Sequence, residues 1–283
     1  MTSGDKSIYS LLADAGDEEA LLDSRILEEE LQGEALLLAA ARRAKGEPLA
    51  HILGHRHFYK EDYKVTPDVL IPRSDSELLV ESALMFTGAL DIPTGDVLKI
   101  PSGDIGDALS FADFCTGSGC VGISVFNELT RKGIKATGIL TDISDGALAV
   151  ARENISNLAL KDGLSAIKSD ILKDDPVLEG LDFITANPPY ISDCEMRELD
   201  RDISLYEPHL ALRADMDGLE FYPQVFSKAY KALREGGMVF AEHGYMQGER
   251  VRQICIDAGF VDVMTLKDYG GNDRVTLGRK YAG

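Results

Sequence analysis

The stretch 110-SFADFCTGSGCVG-122 reads as a short apolar strand running into a turn with glycines at 117 and 119, and then into a helix. Glycine in such a turn permits positive φ and close approach of backbone to a ligand, while the first turn of the helix offers unpaired N–H groups. The same alternation continues along the chain. A strand over 136-ATGILTD-142 precedes a helix over 145-DGALAVARENISNLAL-160, and a strand near Ala166 to Ser169 precedes another over 181-LDFITA-186. A helix over 219–234 and a strand over 237-GMVFAE-242 follow. This order predicts an α/β fold with a doubly wound, mostly parallel sheet. Ligands of such sheets sit beyond the C-terminal strand ends, at the point where the strand order reverses.

Before the first glycine turn the pattern differs. The first 45 residues are helical in pattern, with Ile8, Leu11 and Leu12 on one face and Leu27 and Leu31 at i, i+4 spacing. Ala-rich 35-ALLLAAARRAK-45 stops at Gly46 and Pro48. From Phe58 to Val65 the aromatic and branched residues flank the polar tip Lys60-Glu61-Asp62, which predicts a β-hairpin. An apolar helix follows over 77-ELLVESALMF-86, then a Gly- and Pro-bearing loop over 87–109. The expected division is a small helical N-terminal domain over 1–53, a hairpin connector over 54–72 and an α/β domain over 73–283.

Composition narrows the partners. The 283 residues are 45% hydrophobic and 27% charged, which suits a globular chain. No apolar run reaches about 18 residues and the N-terminus has no signal pattern, so the expectation is a cytoplasmic protein without a membrane partner. The net charge of −19 repels a phosphate backbone, so no nucleic acid partner is expected. Cys115, Cys120, Cys194 and Cys255 have neither zinc-site nor disulfide-framework spacing. His51, His55 and His57 read as a solvated surface, and no metal is expected.

Three polar clusters fall at predicted strand ends. In 113-DFCTGSGC-120 no lysine follows, so the turn is not a Walker loop, and the spacing misses a full G-x-G-x-x-G. Asp142 lies at the roughly 20-residue spacing at which an acid accepts from a ribose, a reading favoured over the alternative that it caps the helix starting near Ser144. By position alone, Asp170 can accept from an adenine amino group, with Ile171 as an apolar wall. In 187-NPPY-190 the prolines fix φ and stop the ladder, which makes a rigid corner. There the Asn187 amide oxygen and the Pro188 carbonyl are acceptors, and Tyr190 adds an aromatic face, so together they can grip a planar NH2 group.

Taken in order, 46-GEPLAHILGHRHFY-59, 70-LIPRSDSELLVESAL-84, 113-DFCTGSG-119, 142-DISDGALAVARENI-155, 187-NPPYIS-192, 207-EPHLAL-212, 217-DGLEFY-222, 242-EHG-244 and 268-DYGGNDR-274 resemble the release-factor glutamine methyltransferase family. The resemblance implies a Rossmann-like methyltransferase that uses S-adenosylmethionine and releases S-adenosylhomocysteine. It implies a cofactor lying along Cys115, Thr116, Gly117, Ser118 and Gly119, its ribose on Asp142, its adenine beside Asp170 and Ile171, and Asn187 at its methyl end. It implies Asn187, Pro188 and Tyr190 as catalytic, and Asn187, Pro188, Pro189 and Tyr190 as the grip on substrate. The implied acceptor is the glutamine of the GGQ loop in class 1 peptide chain release factors, held in part by the N-terminal helices. Glutamine methylation of a ribosomal protein, N6-adenine methylation of nucleic acid and a non-catalytic S-adenosylmethionine-binding scaffold stand as alternatives. Asp113 is expected to anchor the glycine turn from behind, and Arg274 to pair with a nearby acid.

Overall fold

The computed structural model describes residues 7–90, 108–174 and 178–281. The chain opens with α1 (Ile8–Asp14), α2 (Ala20–Glu30), α3 (Gly33–Arg43) and α4 (Leu49–Leu53). Ile8, Leu12, Leu27 and Ala40 are buried together between these helices. Strands β1 (His55–Phe58) and β2 (Glu61–Lys64) form the expected hairpin, with Phe58 opposite Glu61. The turn is therefore Tyr59-Lys60, with Tyr59 at φ 58°. Tyr63 is fully buried and its hydroxyl lies 2.7 Å from Ser124 Oγ, which docks the hairpin on the α/β domain.

After α5 (Glu77–Phe86), most of the expected 87–109 loop, residues 91–107, lies outside the described residues. The alternation then appears as β3 (Ala108–Phe114), α6 (Cys120–Arg131), β4 (Lys135–Asp142), α7 (Asp145–Leu158), β5 (Leu164–Lys168) and β6 (Leu181–Ala186). Two short helices, α8 (Arg201–Tyr206) and α9 (His209–Leu212), and a single turn with left-handed residues, α10 (Asp215–Gly218), lead to α11 (Tyr222–Ala232), β7 (Leu233–Glu242), α12 (Gly248–Asp257), β8 (Phe260–Lys267) and β9 (Asp273–Lys280). The helix expected over 219–234 starts later, with Pro223 in its first turn where the missing N–H costs nothing, and its last two expected residues belong to β7.

The seven-stranded sheet runs β5-β4-β3-β6-β7-β9-β8. Ladders among β5, β4, β3, β6 and β7 are parallel, and β9 pairs antiparallel with both β7 and β8. The chain winds outward from β3 to β5 and then returns to lay β6 on the other side of β3. That reversal makes the switch point, between the ends of β3 and β6. Every residue of β6 is buried, as a central strand covered on both faces requires. Phe111, Phe183 and Phe240 fill one face against α5 and α6, while Phe114, Ile184 and Val239 fill the other against α11. The Phe111 and Phe183 rings stack at 5.0 Å across the ladder that defines the switch point. Among the described residues no helix is long and apolar enough to cross a membrane.

Candidate active site

A cavity of about 240 Å3 opens at that reversal, beyond the ends of β3, β4, β5 and β6. Its floor is the glycine turn. Thr116 N–H donates to the Thr141 carbonyl at 3.0 Å, which ties the turn to β4. Behind it, Asp113 is 2% exposed and accepts from the hydroxyls of Thr116 and Thr185. Burial pushes its carboxyl up to about 6 despite those bonds. The expected anchoring role of Asp113 thus has its geometry. Cys115 holds φ 56°, a left-handed conformation that costs a residue with a Cβ about 1 kcal/mol or more.

Asp142 binds the turn from the next strand. One of its oxygens accepts from Gly117 N–H and the other from Ser144 N–H, both at 2.9 Å. Capping of α7 falls to Ser144, whose hydroxyl accepts from Ala147 N–H at 3.2 Å. Each carboxylate oxygen of Asp142 keeps a second lone-pair site for a hydroxyl donor in the cavity. Burial raises this carboxyl above its ordinary value, against the pull of those backbone donors.

The other expected residues divide. Cys115, Thr116, Gly117, Ser118, Asp170, Ile171, Asn187 and Pro189 line the cavity, together with Asp142. Gly119 does not: a Cβ there would meet Ile123 at 3.0 Å and Leu140 at 3.3 Å, so its glycine serves the packing of α6 on β4. Asp170 is already engaged, accepting from Leu172 N–H and the Lys173 ammonium, both at 2.9 Å, and the lysine lowers its pKa. Pro188 and Tyr190 stand behind the lining. Tyr190 is half-buried against the core on the α11 side, and burial raises its phenol above the ordinary range.

Several residues of the site had no assignment from sequence. Val69 and Leu70 from the connector, and Pro208, Leu210 and Phe221 from the α8–α11 region, complete the cavity wall. Asn154 clamps the hairpin to the glycine turn: its amide accepts from Lys64 N–H and donates to the carbonyls of Lys64 and Ser118. Glu207, 4% exposed, accepts from Ile71 N–H at 3.0 Å and pairs with Arg73, which fixes the connector beside the cavity. Gln247 donates to the Tyr190 carbonyl at 2.9 Å and accepts from Gly244 N–H at 3.0 Å. Asn187 Nδ2 donates to Ser76 Oγ at 3.2 Å. Arg274, by contrast, is expected to pair with a nearby acid and pairs with two, Asp268 and Asp75, each at 3.0 Å.

The donor set fits an adenosine-type cofactor. A carboxylate with spare acceptor sites faces the cavity, a Cβ at Gly117 would meet nothing within 4 Å, and Ile171 and Leu172 give an apolar wall on which a flat ring can lie.

Known proteins agree with this geometry. The Methyltransferase small domain family matches residues 98–201. The solved hMettl16 catalytic domain, crystallised with a MAT2A 3′UTR hairpin, shares the fold at a TM-score of 0.57 and 14% identity, over 88% of this chain and 83% of that one. The release factor glutamine methyltransferase of Vibrio cholerae is 38% identical over 90% of this chain and 81% of its own. Its namesake in Pasteurella multocida is 36% identical over 92% and 84%, and that of Escherichia coli K12 is 34% identical over the same shares. Likeness at this level, over about nine-tenths of the chain, makes this chain a member of the release factor glutamine methyltransferase family.

Proposed function

We propose that the protein transfers a methyl group from S-adenosylmethionine to the side-chain amide nitrogen of the GGQ glutamine in class 1 peptide chain release factors. The observation that carries this reading is the meeting, in one cavity at the switch point, of the glycine turn, Asp142 and the Asn187 corner. Bound there, S-adenosylmethionine supplies an electrophilic methyl on a sulfonium.

What the chain must add is position. An amide nitrogen is a weak nucleophile because its lone pair is delocalised into the carbonyl. With its Nδ2 committed to Ser76, Asn187 has its Oδ1 to accept from the substrate amide N–H, and the Pro188 carbonyl is the second acceptor. Both bonds strengthen as positive charge develops on nitrogen, so they favour the transition state over the ground state. Each is worth about 1–3 kcal/mol. Cys115 to Ser118 and Asp142 hold the cofactor, Asp170 and Ile171 border its adenine, Pro189 adds to the cavity wall, and Tyr190 stiffens the corner from behind. No strong base is needed.

The acceptor assignment rests on the family. Residues 1–53 act as the substrate-recognition module, 54–72 as the connector that lends Val69 and Leu70 to the cavity, and 73–283 as the methyltransferase domain. A charge of −19 favours a basic protein loop over nucleic acid. The reaction belongs to the cytoplasm, where release factors act. Purified protein with methyl-labelled cofactor is expected to label a class 1 release factor, and Gln→Ala in the GGQ loop to abolish the label. Labelling of nucleic acid in place of the release factor would overturn the reading.

A further inference from the structure

Ala241 of β7 pairs with Ala186 of β6, so the residues that follow, Glu242 at the end of β7 and Asn187 just past β6, lie side by side. Glu242 is 1% exposed and its Oε2 has no hydrogen-bond partner. A buried carboxylate oxygen without a partner is costly and asks for an explanation. The groups that face it come from every neighbouring element. Ser76 and Asp75 arrive from the turn before α5, Asn187 and Tyr190 from the loop after β6, Cys120 from α6 and Arg274 from β9. From α11, the Tyr222 hydroxyl donates to the Glu242 main-chain carbonyl, not to the carboxyl. Arg274 makes its ion pairs with Asp268 and Asp75. His243 is occupied by the Gly244 carbonyl and Thr276. The neutral donors turned toward the carboxyl are the Ser76 hydroxyl and the Asn187 amide.

Resting on the methyl-transfer reading above, we propose that Glu242 is a positioning residue: through Ser76 it holds the Asn187 amide with Nδ2 turned inward and Oδ1 left for the substrate nitrogen. Ser76 Oγ accepts from Asn187 Nδ2, so the hydroxyl proton is free for another acceptor. An ionised carboxylate can only accept. A chain from Asn187 through Ser76 to Glu242 can therefore run in one direction only, and that direction fixes which end of the amide meets the substrate. An inverted Asn187 would set its NH2 against the substrate NH2, donor to donor. Protonation turns Glu242 into a donor and removes the constraint. Burial raises this carboxyl to about 7, with Ser76, Arg274 and Asn187 pulling down and Asp75 pushing up, so the switch falls within an ordinary assay range.

The test uses Glu242→Gln, Ser76→Ala and the conservative Ser76→Thr in the full chain. Three quantities are measured: kcat and KM for a release factor, cofactor affinity by calorimetry, and the pH dependence of the Asn187 side-chain amide resonance, assigned by its loss in Asn187→Ser. Expected are a fall in kcat of about tenfold or more in Glu242→Gln and Ser76→Ala with cofactor affinity within about twofold, and recovery of most of kcat in Ser76→Thr. The Asn187 resonance is expected to titrate near pH 7 in the wild type and to stop doing so in Glu242→Gln. A wild-type resonance that ignores pH, one that still titrates in Glu242→Gln, or full kcat in that variant, overturns the positioning role. Should the amide titrate as expected while wild-type protein leaves the release factor unmethylated, the positioning geometry stands and the reaction reading falls.

Discussion

Gly117 N–H donates to the Asp142 carboxylate at 2.9 Å, so the turn after β3 and the acid that ends β4 form one hydrogen-bonded unit. Asp142 thereby shapes the turn that lies along the cofactor and, by the reading above, grips the ribose as well. Asp142→Ala removes acceptors for both Gly117 and Ser144 N–H. Hydrogen bonds to a charged group contribute about 1.5–3 kcal/mol each, so cofactor affinity is expected to fall at least about tenfold. Calorimetric titration with S-adenosylmethionine checks this, and unchanged affinity would take Asp142 out of the cofactor site.

Asn187→Ala separates binding from transfer. The glycine turn and Asp142 remain, so cofactor affinity is expected to stay within about threefold while kcat drops by about tenfold or more, the signature of an interaction made in the transition state. Single-turnover methylation of a release factor at saturating cofactor is the measurement. A variant that turns over at the wild-type rate would remove the Asn187 acceptor from the mechanism.

The parts of this site that were legible in the sequence are those whose physics is local. Glycines 117 and 119, the acid at 142 and the prolines at 188 and 189 each impose a backbone constraint within a few residues of a strand end. The parallel half of the sheet followed from the alternation that carries them. β8 and β9 went unassigned because Asp262 and Thr265 interrupt the apolar pattern of one, while the other buries Thr276 and Gly278 where a branched apolar residue would have marked a strand. Ser76 and Glu242 were hidden for another reason. Each looks like an ordinary polar residue at an element boundary; the register between β6 and β7 brings Glu242 beside Asn187, and the packing of α5 on those strands brings Ser76 there. The order D-G-L-E-F-Y was equally opaque until the turn around Gly218 appeared.

That turn yields a third prediction. Met216, Asp217 and Gly218 hold φ of 54°, 53° and 78°, three consecutive left-handed residues beneath the Asn187 corner. A Cβ at Gly218 would lie 2.1 Å from the Tyr190 carbonyl oxygen and 2.3 Å from Gln247 Nε2. Gly218→Ala must therefore break the Gln247 bond to Tyr190 or push the corner outward. The expected cost is about 1–3 kcal/mol of stability, with kcat/KM for the release factor falling more than cofactor affinity does. Thermal unfolding with parallel kinetics measures both, and a variant with wild-type values in each would show that the corner tolerates the displacement.

Glu242 also leaves a mark on stability that requires no substrate. Its carboxyl is raised by burial from an ordinary 4.5 to about 7, so between those values the folded protein binds more protons than the unfolded chain. The contribution of Glu242 is then fully present below about pH 4.5 and is lost as pH rises through about 7. Glu242→Gln lacks that titration. His51, which is buried rather than solvated as its sequence context suggests, and buried His243, whose pKa values burial lowers, titrate in both proteins and cancel in the comparison. Each tenfold difference in proton affinity between the folded and unfolded chain is worth roughly 1.4 kcal/mol, so the stability of Glu242→Gln relative to wild type is expected to improve by about 2–3 kcal/mol between pH 5 and pH 8. Urea unfolding of both proteins at the two pH values gives the number. A difference that does not change with pH would mean that the folded-state carboxyl titrates where an exposed one does, and with it would go the switch near pH 7 inferred for the Asn187 amide.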